Sequence, residues 1–473
     1  MELVELTITQ AHDGLKNKKF SSMELTKAYL DSIKLQDEKI GAYLSVTQEL
    51  AMEQAGAADG LIASKKEIPL LCGIPCSVKD VILVQGHRCT AGSRILENYV
   101  APYDATVIKK LKEHGSVVLG KTNLDEFAMG VSTENSAFKV TRNPHDLERV
   151  AGGSSGGSAA SVAAKEACYS LGSDTGGSIR LPASFCGVVG LNPTYGSVSR
   201  SGLIAMASSL DQIGPIAKTV EDAKIVFRAI AGKDPLDATS VDFQLVTSNP
   251  KIPDLRIGVP KEYFSEGLDY EVEKIVKRVI RKAQEHGAKI VDISLPNTKY
   301  AIACYYIIVP SEISANLARY DGIRYGLSNQ ETEDLQEVYF KSRGKGLGSE
   351  PKRRILIGTH VLSSGYYDAY YKKACEVKQL IKKDFAKAFE KVDVLFTPVS
   401  PTPAFKIGEK ANDSLAMYLM DVYTCPVKLA GLPALSLPVG QTGMLPVGLQ
   451  IIGNYFEENN IIAIGEIIEK MLQ

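Results

Sequence analysis

The sequence carries almost no surplus charge. Across 473 residues, 54 Lys and Arg stand against 55 Asp and Glu, giving a formal net charge of -1 at pH 7. A chain that holds nucleic acid by itself usually has a basic excess, so any RNA contact is expected to belong mostly to a partner. The opening residues, MELVELTITQ, lack the basic and apolar regions of a secretory leader. No uninterrupted apolar run reaches the length of a bilayer span. The expectation is a cytoplasmic chain with no membrane contact. The eight cysteines (Cys72, Cys76, Cys89, Cys168, Cys186, Cys304, Cys375 and Cys425) are scattered and form no C-x-x-C pair. That argues against a zinc ribbon or dithiol site and leaves buried free thiols as the expectation. Repeats, low-complexity tracts and long linkers are absent as well.

What is present is an ordinary globular balance of 45% apolar and 23% charged residues. Strand and helix signals alternate along it. Ser21-Ser22-Met23-Glu24 reads as a capping box opening a helix to about Leu35. A short buried strand is expected from Gly73 to Ser77, with Lys79 and Asp80 at its exit. Asp104 is placed to cap a helix ending at His114-Gly115, and a strand follows over Ser116–Leu119. Further strands are expected at Leu255–Val259, Lys289–Ile293, Val392–Thr397 and Ala434–Pro438, with an amphipathic helix over Tyr270–Glu285. This alternation predicts an α/β fold, helices covering a mixed sheet. Residues from about 300 to 371 read as a helical, tyrosine-rich elaboration of a single domain spanning 1–473. Glycines crowd the stretch Gly152–Gly202, which reads as long, irregular and site-bearing.

Two segments there carry chemistry. In Ala151-Gly-Gly-Ser-Ser-Gly-Gly-Ser158 no Gly-Lys-Ser/Thr follows, so a phosphate-cradling P-loop is excluded. Patterned apolar flanks exclude a flexible linker, leaving a backbone pressed around serine hydroxyls. In Gly172-Ser-Asp-Thr-Gly-Gly-Ser178 the paired glycines free the local N–H groups to converge on an oxyanion, with Ser178 as nucleophile beside them. A serine needs a base. None of the six histidines (His12, His87, His114, His145, His286, His360) lies in a Ser–His–Asp pattern. Lys79, in Ile74-Pro-Cys-Ser-Val-Lys-Asp80, is the other candidate. Most strand-end lysines simply carry their ammonium to water; a desolvated one has its pKa lowered from about 10.4 and becomes a base.

A Ser-Ser pair between glycine pairs, a Gly-Gly-Ser about 24 residues on and a strand-end lysine upstream together resemble the amidase signature family. The resemblance implies that family's fold, a central mixed β-sheet with helices on both faces. It implies Ser178 as nucleophile, Ser154, held after a cis peptide, as relay, and Lys79 as base. The N–H groups of Thr175, Gly176, Gly177 and Ser178 would form the oxyanion hole. Further segments resemble the GatA branch, which serves tRNA-dependent amidotransferases: Gly120–Gly130, Pro193–Arg200, Ala207–Pro215, Asp321–Gly326, Lys352–Ile355 and Ser364–Tyr371. From that likeness Tyr305, Arg354 and Asp421 are expected to bind glutamine, Arg354 taking its carboxylate and Asp421 its amine. It implies GatB and GatC as partners and contact with misacylated tRNA mainly through GatB. It implies no cofactor and no metal in this chain, ATP and Mg²⁺ being used by GatB. The neighbouring Arg353 reads equally as part of a basic helix face. Asn192 and Ser197 stand where that branch usually carries lysine and arginine, which raises a question of local packing or partner contact. The competing reading is a stand-alone amidase acting on a small carboxamide; a catalytically silent scaffold is disfavoured by the intact Lys79, Ser154 and Ser178.

Overall fold

Strands of five to six residues that are buried at every position must be covered on both faces, because successive side chains point to opposite sides. Pro75–Lys79, Val117–Thr122 and Tyr169–Asp174 are such strands. In the computed structural model, which describes residues 2–64, 67–243, 250–331 and 334–472, they lie side by side and parallel, Pro75–Lys79 in the middle. Val78 pairs with Leu171 and Cys76 with Tyr169, so Lys79 and the Ser173-Asp174 end emerge together at the carboxyl ends of neighbouring strands. That is where α/β sheets place ligands.

These strands belong to an eleven-stranded mixed sheet among the described residues. It begins at the edge strand Tyr43–Val46 and ends at Arg256–Pro260 and Lys289–Ile293, which run parallel to each other. Gln212–Ala217 joins antiparallel to Tyr169–Asp174, and the hairpin Ala434–Thr442/Leu445–Ile452 carries the sheet onward. Helices pack over it, so the expected α/β architecture of a mixed sheet between helices is what forms.

Where period and capping are clear, the elements fall as expected. The helix Tyr270–Glu285 and the strand Lys289–Ile293 have the expected bounds. Ser21 caps the helix Ser22–Ile40 through a full capping box; the helix runs more than a turn past Leu35, to a left-handed Gly41. Asp104 does not cap. The helix Thr106–Glu113 starts after Ala105, because the Asp104 carboxylate accepts from Gln85 N and pairs with Lys112 instead. The largest correction is in the glycine-rich stretch. It is not one long irregular loop but contains the helix Gly156–Ala163, the strand Tyr169–Asp174, the helix Arg180–Cys186 and the strand Val189–Asn192. Many of its small residues serve close packing, while Gly152, Gly187, Gly196 and Gly202 take the positive φ of turns.

The 300–371 stretch is helical as expected, with helices Ala301–Asn316, Leu335–Gly346 and Ser349–Leu362. The segment Pro296–Arg319 has the length and apolarity of a membrane span. Here it packs on Ser349–Leu362 and Lys373–Phe389 and is half-buried. All eight cysteines are free, and seven are buried. Asn192 and Ser197 are buried. Asn192 Oδ1 accepts from the buried Lys428 Nζ at 3.0 Å, and Ser197 Oγ donates to Thr194 O at 2.8 Å. Both departures are therefore internal packing, out of reach of a partner surface.

Candidate active site

Lys79 reaches the site because a strand with both faces covered ends on it. The side chain is wholly buried. Its Nζ lies 2.8 Å from Ser154 Oγ, 2.8 Å from Ser155 Oγ and 2.9 Å from Ser173 Oγ, with Ser173 O at 3.3 Å. These partners are hydroxyls and a carbonyl, with no carboxylate among them. Burial brings the amine down to about 7, against the pull of Asp125, Asp174 and Asp211 farther off. Near neutral pH a large share of Lys79 is uncharged, the form a base requires.

The Gly153–Ser154 peptide is cis, and Ser155 N donates to Ser178 O at 3.1 Å. The two glycine-rich segments are thus tied together through the backbone. Among the described residues no hydrogen bond joins the hydroxyls of Ser154 and Ser178. Lys79 and Ser154 are in contact, and Ser178 is seated beside them with its hydroxyl uncommitted. Catalytic hydrogen bonds commonly tighten only with substrate bound.

Buried N–H groups are left unpaired in fewer than about one case in ten. Here four consecutive ones, on Thr175, Gly176, Gly177 and Ser178, donate to no protein acceptor among the described residues, while Ile179 N donates to Asp174 Oδ2 at 3.1 Å. Four free donors around one hydroxyl form a cradle for an oxyanion. The loop is pinned at both ends. Thr175 Oγ1 donates to Asp211 at 2.7 Å. Asp174 and Arg180 form a fully buried ion pair at 3.0 Å. Burial pushes Asp174 up, but the Arg180 guanidinium outweighs it and holds the carboxyl below its ordinary range. Arg180 also donates to Gln450 Oε1 at 2.6 Å and to Thr424 O at 3.2 Å.

The expected pocket residues converge on the same loop. A Cβ on Gly176 would stand 2.8 Å from the Tyr305 hydroxyl; one on Gly177 would stand 2.8 Å from Asp421 Oδ1 and collide with Thr424 Oγ1. The two glycines let Tyr305 and Asp421 press against the donor backbone. Burial, then the Asp174 charge, pushes the Asp421 carboxyl up to about 7. Arg354 is 3% exposed; its guanidinium lies 5.1 Å from the Tyr306 ring centroid and 5.7 Å from that of Tyr418. Its Nε donates to Glu350 Oε1 at 2.8 Å. Its two terminal nitrogens have no protein acceptor among the described residues, which leaves a planar fork free for a carboxylate. Arg353 is different: its half-exposed side chain pairs with Glu350 on the rim. A cleft of about 170 Å³ opens here, lined by Gly130, Glu134, Tyr306, Glu350, Arg354 and Tyr418.

Several of these groups are not legible in the sequence. Ser155 and Ser173 sit inside the two serine motifs, but nothing local says that both turn to Lys79. Glu350, Tyr306 and Tyr418 are single residues on separate helices. Asp174 and Arg180 flank the Gly-Gly-Ser turn six residues apart, and that opposite-charge pair is the one local signal that could have pointed to them. The histidines stay outside: His145 bonds Cys186 O, His286 bonds Lys282 O, and His360 packs on Tyr366.

A buried amine among serine hydroxyls, beside a run of unpaired backbone N–H groups at the end of a mixed sheet, is a set of groups suited to acyl-transfer chemistry, and the comparison with known families places the chain among enzymes of that class. The Amidase family model matches residues 24–462, and the chain belongs to that family. Within it, the chain is 56% identical over 474 residues to the GatA chain of glutamyl-tRNA(Gln) amidotransferase from Caldanaerobacter subterraneus subsp. tengcongensis, covering 99% of this chain and 97% of that one. The protein of the same name from Moorella thermoacetica is 55% identical over 98% of this chain and 96% of its own. Among solved structures, the corresponding GatA chain of Thermotoga maritima superposes with a TM-score of 0.83 at 43% identity, over 99% of this chain and 95% of that one. The peptide amidase of Stenotrophomonas maltophilia superposes at 0.82 with 27% identity, over 99% and 97%.

Proposed function

We propose that this chain is the glutaminase component of a tRNA-dependent amidotransferase. Uncharged Lys79 takes a proton from Ser154, which takes one from Ser178 as its Oγ attacks the side-chain amide carbon of glutamine. The N–H groups of Thr175 to Ser178 hold the developing oxyanion. The relay returns the proton to the departing nitrogen, ammonia leaves, and water releases glutamate from the Ser178 ester by the same steps. Ammonia passes to GatB, held with GatC, where ATP and Mg²⁺ activate the carboxylate of misacylated tRNA and Glu-tRNA(Gln), Asp-tRNA(Asn) or both are amidated.

The observation that carries the substrate is the pair of charges beside the cradle. Arg354 presents its free fork and Asp421 a carboxyl close enough to feel it, which suits the α-carboxylate and α-ammonium of an amino acid. A simple carboxamide would leave the two terminal nitrogens of Arg354 without an acceptor and bring no ammonium to Asp421, which disfavours the stand-alone amidase. Arg354→Lys keeps the charge but loses the fork. It is expected to lose about 2 kcal/mol, roughly thirtyfold in KM for glutamine, with little change for an amide lacking α-groups. Steady-state kinetics on both substrates checks this.

The direct test is co-expression with GatB and GatC. Co-purification with glutamine-dependent amidation of Glu-tRNA(Gln) or Asp-tRNA(Asn) is expected. A chain that purifies alone and hydrolyses small amides at full rate would overturn the reading.

A further inference from the structure

A helix usually caps itself with the Ser or Thr just before its first turn. The helix Gly156–Ala163 does not. Ser155 stands at its N-cap, yet its side chain makes no cap hydrogen bond, because its hydroxyl is turned to Lys79 Nζ and Ser173 O. The first N–H groups of this helix are taken up by other parts of the chain instead, Gly157 N donating to Asn123 O at 3.1 Å. Thr133 Oγ1 accepts from Gly156 N at 3.1 Å, and the same hydroxyl donates to Gly152 O at 2.8 Å. One side chain thus grips the backbone two residues before Ser154 and two residues after it.

Thr133 is itself held in a costly pose. Its φ is +63°, a conformation β-branched residues seldom adopt. Asp125 holds it there: the carboxylate accepts from Thr133 N at 2.9 Å and from Asn135 N at 3.1 Å. The glycines of the serine loop admit this clamp. A Cβ on Gly153 would collide with Asp125 Oδ2, and one on Gly156 with Thr133 Oγ1. So the Ser154 loop is gripped from two sides, by Lys79 at its hydroxyl and by Thr133 at its backbone.

From this we infer that Thr133, locked by Asp125, is the positioning residue that aims the Ser154 hydroxyl between Lys79 and Ser178. Thr133 touches no reacting atom; it acts on the relay through the peptide backbone. The inference rests on the serine–lysine relay of the proposed function but is independent of the identity of the amide.

The test therefore reads the relay without glutamine: the rate at which phenylmethanesulfonyl fluoride modifies Ser178 in the full-length protein, followed by peptide mass mapping. Thr133→Val keeps the branched shape and removes the hydroxyl; Thr133→Ser keeps the hydroxyl. The valine variant is expected to label about a hundredfold more slowly, the loss typical of a misplaced catalytic group, with the serine variant within about threefold of the wild type. In glutamine turnover the loss falls on kcat and not on KM. Thr133→Ala, free of the branch that disfavours positive φ, replaces the valine variant if that one does not accumulate. Labelling at the wild-type rate without the hydroxyl, or labelling of Thr133→Ser as slow as that of Thr133→Val, would overturn the inference. Glutamine hydrolysis by the wild-type preparation reports separately on the proposed function.

Discussion

Ser178→Ala is expected to lower glutamine hydrolysis by at least about a thousandfold while leaving the protein folded. The two halves of that expectation come from different observations. Ser178 Oγ makes no hydrogen bond to the protein among the described residues, so its removal takes away no structural contact; stability should stay within about 0.5 kcal/mol. The loop that carries it is held by Asp211, Asp174 and Arg180, none of which touches the hydroxyl. The backbone donors and the proposed glutamine pocket are therefore expected to survive in the variant, which should still bind glutamine. Ammonia release and a thermal melt, measured side by side, check both halves. Undiminished ammonia release would remove Ser178 from the mechanism.

Lys79→Met should be comparably inactive, by about a thousandfold or more, yet melt at or above the wild-type temperature. A buried amine whose pKa falls to about 7 penalises the folded state. In the unfolded chain it would bind a proton up to about pH 10.4. Between these values the unfolded state binds more protons, so this penalty shrinks as pH rises and is largest at and below about 7. Methionine removes it. The same pKa sets the pH dependence of the wild type. The working form is uncharged, so kcat should be on a plateau above about pH 7 and fall as pH drops through it. In the proposed assignment the Asp421 carboxyl, also near 7, pairs with the substrate amine only when ionised. The acid limb of kcat/KM should accordingly be steeper than that of kcat, and Asp421→Asn should remove the difference. Rate profiles for the wild type and Asp421→Asn, and melts of Lys79→Met against pH, test these signs.

These expectations show which parts of the molecule local sequence reveals. The helix Tyr270–Glu285 is legible because its apolar residues recur with a helical period. Asp104 misleads because a capping residue is recognised by position, while its carboxylate has two nonlocal partners, Gln85 and Lys112. The stretch after Gly152 reads as irregular because small residues signal turns and tight packing alike. At the site, the two serine motifs and the lysine are readable as segments; their joining, and the whole glutamine pocket, come only through the family resemblance. Spacing along the chain does not say that Tyr305, on a helix, and Asp421, in a turn between two short helices, meet Gly176 and Gly177 from positions more than a hundred residues apart. Nor does it say that Thr133 and Asn123, rather than Ser155, take up the first N–H groups of the helix behind Ser154. Such roles are settled by competition for hydroxyls in three dimensions, here by Lys79 drawing Ser155 and Ser173 to itself.

The central claim is that a hydroxyl, deprotonated through a second hydroxyl by an uncharged amine, forms an ester with the substrate. Rapid acid quench of the protein turning over glutamine, followed by peptide mass mapping, tests it most directly. A single γ-glutamyl group on Ser178 in the wild type, absent from Ser178→Ala, is the result this account predicts. The same group on Ser154 or Ser155, or full turnover with no adduct on Ser178 at any quench time, would contradict it.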